Sequence, residues 1–152
     1  MKKPAHAPQF VELISILKPL LREYPPLAVM HFDDLCDWLA WYWNRGTIAW
    51  QISDFGEPQG ICLIRLFRNL EQFMEQNIHD PCNEFCFIEF SIASDPIIMG
   101  LMFNTLSNRW GPQKVMMWDR GARTADKAPR MYNWKQFRKL ARRLSYGVTE
   151  NA

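Results

Sequence analysis

The apolar positions near the start of the chain recur at steps of three and four residues. Phe10, Leu13, Ile14, Leu17, Leu20 and Leu21 make one face, the spacing of a helix with one buried side, and predict a helix over residues 8–24. Pro19 is expected to kink it or end it early, and the pair Pro25-Pro26 to close it. A second helix is predicted from Asp33 or Asp34, either of which can cap it, to Arg45 and Gly46. Its apolar set is Leu35, Trp38, Leu39, Tyr42 and Trp43.

The period then changes. Residues 47–53 alternate as a strand, 54–60 have the composition of a turn, and 61–67 return as a second strand, which predicts an antiparallel hairpin. Asn69 is expected to cap a short helix reaching Gln76, broken by His79, Asp80 and Pro81. A third strand is predicted over 84–93. A helix follows from Asp95 and Pro96 to about Arg109, because a cap residue followed by proline is a start signal. Gly111 and Pro112 end it, residues 114–118 make a fourth strand, and a polar loop over 120–130 leads to a last helix over 134–144. A strand–helix–strand unit implies a parallel pair with a right-handed crossover. A hairpin feeding that unit predicts a single α/β domain with a mixed central sheet and helices on its faces. Residues 1–27 form an N-terminal helical part of that one domain, and residues 28–152 its α/β body.

Composition agrees with one packed domain. The 152 residues are 48% hydrophobic and include seven Trp and ten Phe, and each aromatic buries roughly 150–250 Å². No apolar run approaches the roughly 18 residues of a membrane span, and the first residues lack the unbroken apolar stretch of a signal peptide. Cys36, Cys62, Cys82 and Cys86 are therefore expected to be reduced thiols in a cytoplasmic protein. Charge is lopsided: residues 1–108 carry 7 Lys/Arg against 13 Asp/Glu, and residues 109–143 carry 11 against 2. The later part is built to meet something negative, or to cover the acidic remainder of its own domain.

Several residues carry candidate chemistry. Glu89 sits among Phe85, Phe87, Ile88, Phe90 and Ile92. A carboxylate there needs a partner or a raised pKa, so it reads as a general base or as half of an ion pair with Arg65 or Arg68. His31, beside a helix start, reads as a base or as a surface residue. His79, Cys82 and Cys86 have a spacing that suggests a metal, but a fourth ligand is missing, so no metal is expected. In the last helix Phe137, Leu140, Ala141 and Leu144 form an apolar stripe, and Arg138, Lys139, Arg142 and Arg143 crowd the other side. With Tyr132 and Trp134 nearby, that surface suits nucleic acid, an acidic protein or an anionic membrane face. It reads equally as a solvated helix face. Trp38, Trp41, Tyr42 and Trp43 cannot all point inward from one helix, which suggests an acyl groove, extra core or a self-association surface.

The order of elements, with residues 44–50 (NRGTIAW), 56–62 (GEPQGIC) and 87–93 (FIEFSIA), resembles the GNAT acyltransferase fold, and within it the toxin-activating lysine acyltransferases. The likeness covers about residues 28–120. It implies acyl transfer from a thioester donor, either acyl-CoA or the acidic acyl carrier protein, to a small-molecule or protein amine. It implies Glu89 and His31 as catalytic groups, where the family has Asp and His, and Tyr132 as a late general acid. It also implies a donor-binding turn at Ser94, Ile98 and Gly100, whose backbone amides polarise the thioester carbonyl. The family's turn carries a Gln or Arg and two glycines. Here the corresponding residues 93–100 (ASDPIIMG) have one glycine, an acidic side chain and a proline.

Overall fold

The computed structural model describes residues 6–73, 80, 83–110, 112, 114–119 and 129–147. Its helices are α1 (Pro8–Leu21), α2 (Pro25–Ala28), α3 (Phe32–Arg45), α4 (Leu70–Phe73), α5 (Pro96–Trp110) and α6 (Trp134–Ser145). Its strands are β1 (Ile48–Ile52), β2 (Pro58–Phe67), β3 (Phe85–Ala93), β4 (Val115–Trp118) and β5 (Arg130–Tyr132). They form one mixed sheet in the order β1-β2-β3-β4-β5. Every neighbouring pair is antiparallel except β3 and β4, which are parallel and joined through α5.

Helices cover both faces of the sheet. Ile61, Leu63, Phe90 and Ile92 face α1 and α3, where they meet Phe10, Ile14, Leu17, Leu35 and Leu39. Cys62, Ile64, Leu66, Cys86, Ile88 and Met116 face α5 and α6, where they meet Met102, Phe103, Leu106, Phe137 and Leu140. Burial on both sides is why β2 reads as a continuous apolar run instead of an alternating one. The α1 helix belongs to the first of these cores. Its fully buried Ile14, Leu17 and Leu21 contribute roughly 1.5–3 kcal/mol each.

Most predicted elements are present, with shifted ends. α1 stops at Leu21, and Pro19 stays within its last turn on the exposed side. Pro25 and Pro26 begin the short α2 instead of merely closing α1, since proline is pre-set for a first helical turn. α3 starts at Phe32 with His31 at the cap position and no side-chain cap. It ends on Gly46 at φ 69°, a left-handed cap that glycine adopts without strain. Asn69 caps α4 through the Gln72 amide, but α4 ends at Phe73, and the predicted stretch to His79 lies outside the described residues. β5 is not predicted from the sequence, and only its first residue falls in the loop expected over 120–130; three residues with an exposed edge leave too short a pattern to register as a strand. The loop predicted over 120–130 lies outside the described residues up to 128.

Two features shape the middle of the sheet. Leu63 pairs with Phe90 while Ile64 pairs with Ile88, so Glu89 is the extra residue of a β-bulge. Such an insertion turns two consecutive side chains toward one face. Glu89 and Phe90 both meet α3, through Tyr42 and Trp38 respectively. The parallel ladder of β3 with β4 covers only Phe85 to Ile88 and closes with the Asp119 amide on the Ile88 carbonyl, at 3.0 Å. Beyond it β3 runs on through residues 89–93 with β2 on one side, and no described residue joins its ladder on the other. β4 ends at Trp118, and after Asp119 the chain is next described at residue 129.

Candidate functional site

Around Glu89 the structure assembles a cluster from three elements far apart in sequence. The Tyr42 phenol, on α3, donates to Glu89 Oε2 at 2.5 Å. Arg65 Nε, on β2, lies 3.6 Å from the same oxygen, with the arginine side chain 7% exposed and the glutamate side chain 34% exposed. Arg65 is also flanked by the rings of Phe67 and Phe87, 5.6 and 5.4 Å away. Between the two readings of the arginine partner, Arg65 forms the ion pair with Glu89, and Arg68 pairs instead with Asp80 at 3.3 Å.

Burial, reinforced by the hydrogen bond to Glu89 and by its negative charge, pushes the Tyr42 phenol well above its usual range, with Arg65 opposing. The phenol is therefore a proton donor at any ordinary pH. Glu89 Oε2 takes the phenol and faces the guanidinium. Among the described residues Oε1 has no hydrogen-bond partner, and a carboxylate oxygen can accept from two directions. The cluster is thus a partly exposed carboxylate anchored by one oxygen, at the residue that follows the last described ladder position of β3 with β4.

The three residues expected to share the chemistry do not meet. His31 is exposed at the start of α3; it lies eleven positions before Tyr42, about 16 Å along the helix. Tyr132 pairs with Met116, which faces α5 and α6, and packs edge-on against Phe137. It is on the opposite side of the sheet from Glu89. Tyr42 and Arg65 stand in their place. From the sequence, Tyr42 is one of the helically spaced aromatics of α3 that suit core, an acyl groove or a self-association surface, and Arg65 is one of two candidate ion-pair partners. The periodic apolar face of α3 hides a polar atom at the tip of Tyr42, and only the tertiary fold points it at position 89.

The turn expected to hold a donor is largely committed to other contacts. The Ser94 amide donates to the Gln59 carbonyl at 2.7 Å. The Ile98 amide donates to the Asp95 side chain at 2.9 Å, and the Met99 amide to the Asp95 carbonyl at 3.2 Å. Ile98 packs partly buried against the α5 and α6 core. Gly100 serves the crossing of α5 and α6: a Cβ there would stand 2.2 Å from the Ser145 nitrogen and 2.6 Å from the Ala141 oxygen. Its missing side chain is explained by that close approach, and Pro96 contributes no amide proton.

Beyond the ladder, β3 is still tied to β4 on the α5 side. Trp118 Nε1 donates to Ser91 Oγ at 3.1 Å, and its ring meets Phe103 edge-on with centroids 4.9 Å apart. One row beyond, between β5 and α6, lies an open cleft of about 490 Å³ lined by Arg130 and Tyr132 of β5 and by Gln136, Lys139, Leu140 and Arg143 of α6. Asn133 and Gln136 form a reciprocal capping box that fixes the start of α6. Lys139, Arg142 and Arg143 are exposed, whereas Arg138 lies over the Trp134 ring at 5.0 Å.

The α3 aromatics are covered by the chain itself. Tyr42 is buried, Trp38 meets Phe90, Trp43 meets Phe10 and Trp50, and Arg45 stacks 4.1 Å over Trp41. Burial raises the Cys62 thiol and pushes that of Cys86 up to about 12, so both behave as small hydrophobes. His79 and Cys82 lie outside the described residues, and among the described residues no group of three His, Cys, Asp or Glu could hold a metal. No helix among them is long and apolar enough to cross a membrane. The chain matches no protein-family model, no curated protein and no solved structure.

Proposed function

We propose that this chain is an acyltransferase on a GNAT-like fold, moving an acyl group from a thioester donor to an amine, with Glu89 as the proton acceptor. The observation that carries the reading is the placement of Glu89. It is the bulged residue of β3, the first beyond the last ladder bond to β4, with one carboxylate oxygen tied to Tyr42 and the other directed to no described partner.

In this reading the amine nitrogen attacks the thioester carbonyl carbon. A C–N bond forms, the C–S bond breaks, and the electron pair leaves with sulfur. Glu89 Oε1 takes the proton released by the nitrogen and returns it to the thiolate, so the products are an amide and a thiol. Tyr42 and Arg65 orient the carboxylate. Because the amides near α5 are engaged, polarisation of the carbonyl falls to the edge of β3 over residues 89–93, which no described residue pairs with on that side. Donor and acceptor are an acyl-CoA or an acyl carrier protein on one side and a small-molecule or protein amine on the other.

A second reading is a noncatalytic module that holds nucleic acid or an acidic protein through the exposed Lys139, Arg142 and Arg143 on α6, beside the half-buried Arg138. Thiol release from acyl-CoA in the presence of a panel of amines separates the two. The acyltransferase releases thiol at a rate that saturates with amine. Glu89→Gln lowers that rate by about 100-fold or more without changing the far-ultraviolet circular dichroism. Absence of amine-dependent release, together with salt-sensitive binding to DNA or RNA, supports the module.

A further inference from the structure

The apolar stripe of α6, made of Phe137, Leu140, Ala141 and Leu144, is buried. Opposite it stand Lys135, Lys139, Arg142 and Tyr146, all exposed. Steps of four, three and four residues set these in one line along the outer crest of the helix. The start of α5 lies against the end of α6, where Gly100 abuts Ala141 and Ser145. Its far part lies against the start of α6, where Trp134 Nε1 donates to the Ser107 carbonyl at 3.1 Å.

Three large apolar side chains stand out at the first of these ends. Ile97 and Leu101, one helical turn apart on α5, are 45% and 47% exposed, and Tyr146 is 78% exposed. A Cβ on Gly147 would meet Ile97 Cγ1 at 3.9 Å, so Ile97 lies beside the segment that carries Tyr146. The apolar trio is thus continuous with the line of cations on α6. Neither α5 nor α6 contains an acidic residue, and none of the described ion pairs involves Lys135, Lys139 or Arg142. Across the sheet, α1 and α3 carry Glu12, Asp33, Asp34 and Asp37. The two sides of the molecule therefore differ in sign.

Cations alone would suit any polyanion, and the apolar trio decides between them. Nucleic acid offers phosphates, but its bases stack on aromatic rings and would leave Ile97 and Leu101 bare. The outer crest of two helices offers no groove to a protein segment. A bilayer with anionic lipids supplies headgroup charge for the cations and hydrocarbon for side chains on a convex face. We propose that the outer face of α5 and α6 docks on an anionic bilayer. Ile97, Leu101 and Tyr146 enter the headgroup region, and Lys135, Lys139 and Arg142 meet the lipid charges. The acidic α1 and α3 side, with the Glu89 cluster, then faces water. Docking of this kind requires no acyl transfer.

Cosedimentation of the full chain with vesicles tests it, one set of phosphatidylcholine alone and one with about one third phosphatidylserine. Binding to the anionic set is expected to be about tenfold or more tighter, and to weaken as salt rises. Lys139→Gln/Arg142→Gln should lower binding to the anionic set by about tenfold. Lys18→Gln/Arg45→Gln, which removes as many cations from α1 and α3, should change it by about twofold or less. Ile97→Asn/Leu101→Asn should weaken it by about tenfold. Thermal unfolding confirms that each variant folds. Equal binding to the two vesicle sets, or equal losses in the two charge variants, would overturn the assignment. So would full binding by the Ile97 and Leu101 variant, because attraction would then be electrostatic alone. A single-stranded oligonucleotide bound more tightly than the anionic vesicles, and released by the Lys139 and Arg142 changes, would make the face a nucleic-acid site instead. Failure to sediment with either set would also overturn it and leave the cations to an acidic protein.

Discussion

The two faces of the sheet are built differently. On the α1 and α3 face, the Glu89 cluster draws one residue each from α3, β2 and β3, at positions 42, 65 and 89, set among aromatic rings. On the α5 and α6 face, the cleft comes from a single stretch between Arg130 and Arg143, and its character is cationic. The first is a precise contact that exists only when three distant segments are folded together. The second is a charge pattern that a short segment carries with it. The contrast separates a surface suited to orienting a reacting group from one suited to attracting an ion.

The helix crossing that supports the cationic side should be the most sensitive point. Gly100→Ala places a methyl against the backbone of α6, which cannot swing aside as a side chain would. We expect a loss of about 3 kcal/mol in unfolding free energy, read by denaturant titration. Wild-type stability in this variant would mean that α6 does not pack on α5 as described. On the other face, Arg65→Met removes the buried cation beside Glu89. Glu89 is partly exposed, so solvent screens the pair, and the loss should be about 2 kcal/mol, together with slower transfer as the carboxylate loses its orientation. An unchanged transfer rate would show that Arg65 does not position Glu89.

A smaller effect with a diagnostic pH dependence is expected of Tyr42→Phe. The phenol is raised in the folded chain by burial and by Glu89. An unfolded phenol ionises near about pH 10, where the folded one keeps its proton. Its contribution is therefore fully present below about pH 10 and is lost as pH rises above that value. Tyr42→Phe should cost about 1 kcal/mol at neutral pH and should show a shallower fall of stability above pH 10 than the parent. Identical alkaline slopes in the two proteins would mean that the phenol is not buried against the carboxylate.

Much of the fold was legible because its elements carry strong local signals. The three- and four-residue steps of Phe10 to Leu21, the cap and proline at Asp95 and Pro96, and the stripe of Phe137 to Leu144 each specify a helix without reference to the rest. Glu89 stood out for a local reason too, as a charge in an apolar strand. Its partners did not. Tyr42 lies in a helical apolar pattern that reads as core, and 47 residues separate it from Glu89. The bulge was invisible because it is a property of register between β2 and β3, and neither strand's own alternation reports it. His31 and Tyr132 were tied to Glu89 by resemblance alone, and the folded chain places one far along α3 and the other across the sheet. The resemblance implies a donor-binding turn at Gly100, and the space beside that glycine is taken by α6, an approach no local pattern discloses.

The proposed acyl transfer places a thioester carbonyl beside Glu89. A crystal structure of the chain with a nonhydrolysable acyl-CoA analogue tests it most directly. We expect the carbonyl carbon beside Glu89, at the edge of β3 beyond its ladder with β4. An analogue bound elsewhere, with Glu89 still screened by Tyr42 and Arg65, would contradict it.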